Sequence, residues 1–354
     1  MDNPPIIESQ PSGEMLILTV IYLGKKLPKY VLLNLAYLQS TFHKEEIYFI
    51  SDSKKSIKRA SNLGVKTWLA PNSNEQWQEV RESLKHPMGF RDGFWFKTLA
   101  RIFVLNSFMQ LHPDVSTLQI EADVFLFPNF PLSRFSDLDA EIAFPMESNQ
   151  MGIASLFFLR DHRASARLVD FALNEISNNP HITDMSLLGK VAHSNNLKFL
   201  ALPTLPSALR NALNEPEAIN LVCNDSLMIP GVFDGISVGQ YLLGIDPRNS
   251  RGSLVVHRSQ PTHAIDPDKL EFGLDNAENL VLKSVNGDSS IYNLHNHAKD
   301  LRLYNTSSRK KLLVKRVNST HRGEHREFII KIFVLAALEA IARKVSYGFQ
   351  RAKI

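Results

Sequence analysis

Two carboxylates stand two positions apart at the end of an apolar segment. Glu121 and Asp123 follow the run TLQI in the sequence TLQIEADVFLF. Side chains alternate across a β-strand, so this spacing predicts that both acids point the same way. Carboxylates of this kind bind Mg²⁺ or Mn²⁺ together with the phosphates of a substrate. The pair therefore indicates a site for a nucleotide diphosphate bound through its metal, with a solvated strand end as the alternative.

A second candidate group lies near the other end of the chain, in the sequence HNHAKD. His295 and His297 are candidate metal ligands, and an imidazole ligand favours Mn²⁺ over Mg²⁺. Lys299 follows them, at a position where an ammonium group can pair with a phosphate. The alternative for all three is a polar side chain on a surface loop.

Basic and acidic residues elsewhere are candidates to complete such a site. Lys97 and Arg101 are spaced i, i+4 on an apolar helix, where an anion between them would relieve their repulsion. Arg101 is the better candidate for a sugar or phosphate contact, because its planar fork engages paired oxygens. Asp52 follows a predicted strand and is a candidate contact to a base or ribose. Alternatively, the two basic side chains extend to water and Asp52 is a turn residue.

Three further carboxylates, Asp184, Glu147 and Asp234, are candidates for a catalytic base. A base is needed where a hydroxyl group attacks a sugar with inversion and must lose its proton. Asp234 is also a candidate contact to a donor or an acceptor. For Asp184 the alternative is an ordinary helix N-cap, since the helical sequence MSLLGKV follows it.

The composition predicts a folded protein in a reducing compartment. The chain has 354 residues, of which 44% are hydrophobic, and this is enough for a large core. Its one cysteine, Cys223, excludes an intramolecular disulfide and a multi-thiolate zinc site. The N-terminal sequence lacks the basic flank and cleavage site of a signal peptide, and no apolar run reaches the roughly 18 residues of a membrane span. We therefore predict a cytoplasmic location.

The net charge is only +4, but basic residues concentrate toward the C-terminus. Residues 309–354 contain the run RKKLLVKR and then a sequence that predicts a basic amphipathic helix. Such a helix packs on the protein or lies on an anionic membrane surface, and the second alternative would place the protein at the inner face of a membrane. Nucleic acid is not a predicted partner, because the tail lacks interleaved aromatic residues.

The order of predicted elements favours an α/β fold with a mostly parallel central sheet flanked by helices. No glycine-rich phosphate loop follows the first strand, which excludes the simplest Rossmann and P-loop folds. Predicted strands cover residues 15–23, 46–51, 64–69, 141–144, 155–159, 197–202, 221–228, 253–257, 280–285 and 291–294, and a further strand ends at residues 121–123. Predicted helices cover residues 29–42, 75–84, 162–177 and 184–192, and a further helix begins at Phe94.

Three features in this order resemble the metal-dependent glycosyltransferases of the A-type (GT-A) fold, in particular bacterial nucleotide-sugar transferases. They are an Arg-bearing helix in TLARIFVLNSF, the acidic pair in LQIEADVFLF, and a late histidine followed by a lysine. The resemblance extends over residues 15–304. It implies a nucleotide-diphospho-sugar transferase-like domain at 15–308, with a nucleotide-binding half (15–130) and an acceptor and donor-sugar half (131–308), between a disordered N-terminus (1–14) and the helical tail (309–354).

The resemblance also implies roles at the metal site. Asp123 is the expected metal ligand and His297 the second ligand, with His295 as its rival. Lys299 is expected to meet the diphosphate. The acidic pair of the family most often begins with Asp, so Glu121 is expected to contact the ribose or to act through a water molecule.

The implied reaction moves a sugar from a nucleotide-diphosphate sugar to a glycan or a lipid-linked acceptor in surface polysaccharide synthesis, with Mn²⁺ or Mg²⁺ as cofactor. Asp184 is preferred as the base, because transferases of this fold often carry the base at the start of a helix after the donor-sugar loop. A nucleotidyltransferase and a noncatalytic nucleotide-sugar or glycan-binding domain are the alternatives. The glutamate at position 121 keeps the noncatalytic alternative open.

Overall fold

The structure is a computed structural model, and it describes residues 15–71, 75–223, 229–243, 264–297 and 299. The predicted disordered N-terminus (1–14), the predicted strand at 253–257 and the predicted basic helix at 309–354 lie outside the described residues. Within the described ranges, no helix combines the length and the apolar character needed to cross a membrane.

Strands and helices alternate through the first half of the described chain. The strands are β1 (Met15–Ile21), β2 (Glu46–Ser51), β3 (Lys66–Leu69), β4 (Val115–Ile120), β5 (Val124–Leu126), β6 (Ile142–Ser148), β7 (Met151–Gly152), β8 (Leu156–Leu159), β9 (Phe199–Leu202), β10 (Gly231–Val232), β11 (Phe272–Leu274), β12 (Leu280–Leu282), β13 (Ser289–Ile291) and β14 (Asn293–His295). The α-helices are α1 (Lys29–Thr41), α2 (Lys54–Ser61), α3 (Glu75–Ser83), α4 (Phe94–Leu111), α5 (Ser133–Ser136), α6 (His162–Asn178), α7 (Asp184–Ala192), α8 (Ile219–Val222) and α9 (Ser237–Leu243). Short 3₁₀ helices cover Ser207–Ala212, Pro216–Ala218 and Pro267–Lys269.

The central sheet has the strand order β3-β2-β1-β4-β8-β6-β7, and β9 also pairs with β6. Strands β3, β2, β1 and β4 pair in parallel. Strand β8 runs antiparallel between β4 and β6, while β9 lies parallel to β6. The predicted α/β fold with a central sheet flanked by helices is therefore confirmed, and the sheet itself is mixed, with its parallel half at β3-β2-β1-β4.

Helices cover both faces of the sheet, and its central strands are therefore buried on both sides. Along β1, Ile17 and Ile21 belong to one apolar core, whereas Leu18 and Val20 belong to the other. This division follows from the alternation of side chains along a strand. The first core includes residues of α4, α6 and α7, and the second includes residues of α1. The sequence MLILTVI of β1 is the near-continuous apolar run expected of such a strand.

A smaller sheet and a two-stranded ribbon complete the fold. The smaller sheet has the order β10-β13-β12-β11, and the ribbon pairs β14 with β5 in antiparallel fashion. Phe125 of β5, Leu282 of β12 and Ile291 of β13 share one apolar core. In the ribbon His295 lies opposite Val124. This pairing brings the end of the described chain to the segment that follows β4.

The predicted acidic pair lies in a turn and not on a strand, so the alternation argument is wrong for these residues. Strand β4 ends at Ile120, and the N–H of Val124 donates to the carbonyl of Glu121 at 2.9 Å. The chain turns here because its pairing partners change: β4 pairs with β1 and β8, whereas β5 pairs with β14. We call residues 121–123 the acidic turn.

Two other predictions differ from the structure. The start of the predicted strand at 221–228 is helical, since α8 extends to Val222, and residues 224–228 lie outside the described ranges. A short apolar run does not distinguish a strand from a buried helical turn. Helix α2 is absent from the prediction because its sequence KKSIKRAS contains only two apolar residues, Ile57 and Ala60. A local signal exists, since Ser53 caps this helix by accepting from the N–H of Ser56 at 3.3 Å.

A buried side chain on α1 holds the acidic turn. The amide nitrogen of Asn34 donates to the carbonyls of Ala122 at 3.2 Å and of Val124 at 2.9 Å. Asn34 is 1% exposed, so these hydrogen bonds lie away from water. The backbone of the turn is thus fixed from one side by α1, and it is fixed from the other by β14.

Replacing Asn34 by Ala should lower the free energy of unfolding by about 1–3 kcal/mol, because two buried carbonyls lose their donor. Urea unfolding followed by circular dichroism measures the change. Asn174→Ala, at an exposed position on α6, is the matched control and should cost less than about 0.5 kcal/mol. Equal effects of the two substitutions would contradict the role assigned to Asn34.

Candidate functional site: an acidic turn with paired basic residues

The backbone on both sides of the acidic turn sets the positions of its acids. The N–H of Glu121 donates to the carbonyl of Ser155 at 3.1 Å, and the carbonyl of Asp123 accepts from the N–H of Asn296 at 2.8 Å. The second contact continues the β5–β14 ribbon by one residue. As a result the side chain of His295 lies against both acids of the turn.

Glu121, Asp123 and His295 form a compact group of metal-ligand type. The Nε2 atom of His295 lies 3.1 Å from Oε2 of Glu121 and 3.7 Å from Oδ1 of Asp123. One candidate ligand atom from each of the three residues lies within 4.8 Å of the others. The Nδ1 atom of His295 lies 2.8 Å from the carbonyl oxygen of Gly235. Because a carbonyl only accepts, Nδ1 carries the proton, and Nε2 is the nitrogen directed at the two acids.

A buried network behind His295 fixes its position. A carboxylate oxygen of Asp234 accepts from the backbone N–H of His295 at 2.8 Å and from that of Gly239 at 2.8 Å. The side chain of Asn293 exchanges two hydrogen bonds with the backbone of Asp234. A Cβ at Gly239 would lie 2.2 Å from the carbonyl oxygen of His295, so only glycine fits there. Burial raises the pKa of Asp234 to about 6, although the N–H donors oppose this shift.

Arg101 joins two acids from different parts of the chain. Its NH1 nitrogen pairs with Oε1 of Glu121, and its NH2 nitrogen lies 3.0 Å from Oδ2 of Asp184. The side chain of Arg101 is 12% exposed, so the pairing takes place largely away from water. Burial by itself would raise the pKa of Glu121, but the charges of Arg101 and His295 outweigh it and lower this pKa to about 2. Glu121 is therefore ionised at neutral pH.

Asp184 lies at the start of α7, as predicted, but it is not the cap of that helix. Thr183 is the N-cap, since its hydroxyl accepts from the N–H of Ser186 at 3.2 Å and the Ser186 hydroxyl accepts from Thr183. The carboxylate of Asp184 is therefore available to Arg101. Burial raises the pKa of Asp184 above its ordinary value, and Arg101 opposes this shift.

Lys299 supplies a second cation to the acidic turn. Its ammonium group pairs with Oδ2 of Asp123 and lies 5.4 Å from the centre of the Tyr30 ring. Burial lowers the pKa of Lys299 to about 8, against the charge of Glu121 and with that of Arg91. The cluster thus contains two cations, Arg101 and Lys299. A bound phosphate would pair with these cations, and a bound metal would replace them as the partner of the acids.

Glu147 lies deeper in the protein. It is 2% exposed, and its carboxylate pairs with the hydroxyl of Ser237 at the start of α9. Burial raises the pKa of Glu147 well above its ordinary value, with Asp234 acting in the same direction. A carboxyl group in this position is better placed to stabilise the fold than to exchange protons with a substrate.

The remaining predicted residues lie around this cluster. The ring of His297 stacks on that of His295, with centroids 4.0 Å apart. Asp52 accepts from the N–H of Gly24 at 2.8 Å and so shapes the loop after β1. Lys97 pairs with Asp92 at 2.6 Å and therefore has a carboxylate partner separate from those of Arg101. An anion between Lys97 and Arg101 is not required to offset their charges.

Sequence reasoning missed three polar side chains that support the site: Asn34, Asn293 and Gln119. Asn34 interrupts the apolar helical run VLLNLAYL, and Gln119 is the largest polar residue of the buried strand VSTLQI, which also contains Ser116 and Thr117. A polar residue inside an otherwise apolar element is a usable signal, because burying it without a partner is costly. Asn293 gives a weaker signal, since its partner Asp234 lies 59 positions away.

Two carboxylates and an imidazole nitrogen together fit a divalent cation. The mixed oxygen and nitrogen donor set suits Mn²⁺, while Mg²⁺ prefers oxygen donors alone. The hydrogen bond from Nδ1 of His295 to a carbonyl is the usual arrangement around a histidine ligand, since it orients the ring and fixes the tautomer. The site can therefore hold a metal between Glu121, Asp123 and His295, with Lys299 and Arg101 beside it as cations for phosphate or sugar oxygens.

Comparison with known proteins gives similarity at low levels. No protein-family model and no curated protein matches the chain. The PaToxG glycosyltransferase structure is 10% identical over 50% of this chain and 67% of its own, with a TM-score of 0.35. A CMP:2-keto-3-deoxy-manno-octonic acid synthetase complexed with CTP is 8% identical over 53% and 89%, with a TM-score of 0.33. A glycosyltransferase involved in the glycosylation of the major capsid of PBCV-1 is 11% identical over 44% and 66%, with a TM-score of 0.26. Similarity of this size assigns no function to the chain.

Replacing Arg101 by Met should lower the free energy of unfolding by about 3–5 kcal/mol, because Glu121 and Asp184 would be buried without their shared cation. Adding Glu121→Gln and Asp184→Asn to this variant should restore most of the loss, since no unpaired charge then remains. Guanidinium unfolding measures both values. Arg163→Met, at an exposed position on α6, is the matched control. A triple variant no more stable than the single one would contradict the proposed pairing.

Mn²⁺ binding should distinguish the two histidines. His295→Ala should weaken Mn²⁺ affinity at least about tenfold, because the imidazole nitrogen next to both acids is lost. His297→Ala should leave the affinity nearly unchanged, as its ring stacks behind His295. Calorimetric titration of the protein with MnCl₂ measures both, with circular dichroism as the check on folding. A larger loss for His297→Ala would restore His297 as the preferred ligand.

Proposed function

We propose that the protein is a metal-dependent glycosyltransferase that uses a nucleotide-diphosphate sugar. The observation that carries the proposal is the group of Glu121, Asp123 and His295 at the carboxyl end of β4, with Lys299 and Arg101 paired to its acids. In sheets with a parallel half, ligands bind beyond the carboxyl ends of the strands. A diphosphate is bound by cations, and a sugar hydroxyl is bound by hydrogen-bond donors and acceptors. The basic and acidic side chains of this group can supply both.

Each residue then has a role that its chemistry allows. Glu121, Asp123 and His295 would hold Mn²⁺ or Mg²⁺, and the metal would supply positive charge to offset the charge of the leaving diphosphate. Lys299, which pairs with Asp123 in the unliganded protein, would pair with a phosphate oxygen of the bound donor. Arg101 and Asp184 bind hydroxyl groups of the sugar through their planar donor and acceptor atoms.

Asp184 stays the predicted base for the acceptor hydroxyl, since a carboxylate has two oxygens and can accept from the transferred sugar through one and take the proton through the other. Of the three candidate bases, Asp184 pairs with Arg101 beside the acidic turn, whereas Asp234 accepts from backbone N–H groups and Glu147 from Ser237. Asp52, which follows β2, and Lys97, in the first turn of α4, stay predicted contacts to the nucleotide. His297 supports His295 by stacking.

The acceptor and location are proposed from the sequence. A glycan or lipid-linked acceptor, surface polysaccharide synthesis, and a cytoplasmic site near the inner face of a membrane agree with the basic composition of residues 309–354. The division of residues 15–308 into a nucleotide-binding half (15–130) and a donor-sugar and acceptor half (131–308) is part of the same proposal.

The proposal is tested by thermal unfolding of the protein with UDP, GDP and TDP and their common sugar conjugates, each with and without MnCl₂. One diphosphate should raise the midpoint only with Mn²⁺, because a ligand that binds the native state at 100 times its Kd adds about 2.7 kcal/mol. The same nucleotide sugar should release its nucleoside diphosphate in the presence of the protein.

Asp123→Asn should abolish both the Mn²⁺-dependent shift and the release, while Asp114→Asn, which is exposed at the start of β4, should change neither. Pyrophosphate release from a nucleoside triphosphate would replace the proposal with a nucleotidyltransferase. Binding without turnover, with any acceptor, would replace it with a noncatalytic nucleotide-sugar domain.

A further inference from the structure

A small cavity lies behind the Arg101 and Asp184 pair, between α4, β4 and α7. Its polar lining consists of Thr98, Arg101, Gln119 and Asp184. The rest of its wall is apolar, from Ile102, Leu105, Ala154, Phe157 and Leu188. The enclosed space accommodates about one water-sized group.

Gln119 is the unusual member of this lining. It lies on β4 and is 3% exposed. Its amide nitrogen is buried and has no hydrogen-bond partner among the described residues. A buried amide donor without an acceptor costs about 1–3 kcal/mol, and a water molecule or a ligand group in the cavity removes this cost.

The neighbours of Gln119 define the chemistry of that partner. Arg101 only donates, and the Asp184 carboxyl group that pairs with it offers acceptor oxygens, so a group that contacts all three should both donate and accept. A hydroxyl group does both, and the size of the cavity admits one. The apolar wall suits the carbon atom that carries such a hydroxyl.

We propose that Gln119, Arg101 and Asp184 form a subsite for one hydroxyl group of the transferred sugar, and that Gln119 is a specificity-determining residue for that sugar. The inference rests on the proposed function. In this subsite the amide of Gln119 donates to the hydroxyl oxygen, and the hydroxyl donates to the carboxylate of Asp184. Other residues would bind the metal and the diphosphate, so Gln119 should contribute to the affinity for the sugar alone.

The experiment compares the affinity of the protein for UDP with that for UDP-glucose, and for GDP with that for GDP-mannose, by calorimetric titration in MnCl₂. Gln119→Met keeps the volume of the side chain and removes the amide. It should reduce the affinity for the nucleotide sugar about tenfold and leave the affinity for the nucleoside diphosphate unchanged. It should not lower the thermal midpoint of the unliganded protein, because a buried unpaired donor has been removed.

Two further variants complete the test. Ala154→Leu fills the cavity from another wall and should give the same selective loss of sugar affinity, even where Gln119→Met does not fold. Thr117→Val on β4 removes a buried hydroxyl that does not line the cavity, and it should leave the ratio of the two affinities unchanged. An unchanged ratio in both Gln119→Met and Ala154→Leu would overturn the subsite. Absence of binding by every nucleotide to the wild-type protein would overturn the proposed function itself.

Discussion

The burial of acidic side chains is the constraint on which this fold depends. The side chains of Glu121, Asp123 and Asp184 are 15%, 11% and 10% exposed. Carboxylates in such surroundings need cations, since an unpaired buried charge is strongly destabilising. Arg101 from α4 and Lys299 from the end of the described chain supply them, and Nε2 of His295 lies beside Glu121 and Asp123. Ionic pairing therefore requires segments that are far apart in sequence to meet at one edge of the sheet.

The same pairing keeps the site ready for a ligand. The donors and acceptors of the cluster are fixed by the backbone contacts of Asn34 and Asp234, so little reorganisation is needed when a ligand binds. Lys299 pairs with Asp123, to which a divalent cation would also bind. The ammonium group and the metal would therefore compete for one carboxylate. Stability of the unliganded protein and binding of a ligand thus depend on the same carboxylates.

The sequence predicts the fold well where periodicity is strong. The apolar runs of β1, β2 and β4 and the long helix α4 are visible in the sequence, and the acidic pair identifies the relevant strand end. The choice between His295 and His297 depends on the register of β14 against β5, which no local pattern encodes. The pairing of Asp184 with Arg101 could not be predicted either, because the two residues lie 83 positions apart in the sequence. Long-range pairings, and not local propensities, decide which candidates come together.

The ribbon between β5 and β14 also determines when the site can form during synthesis of the chain. Asp123 and Lys299 are 176 positions apart, so a ribosome working at roughly 5–20 residues per second makes the acids roughly 10–35 s before their cation. During that interval β5 has no partner strand and the acidic turn has only Arg101 to balance it. In the nascent chain all residues of the parallel half of the sheet are therefore present before the metal-ligand group is complete. The site can form only after the last described strand has been made.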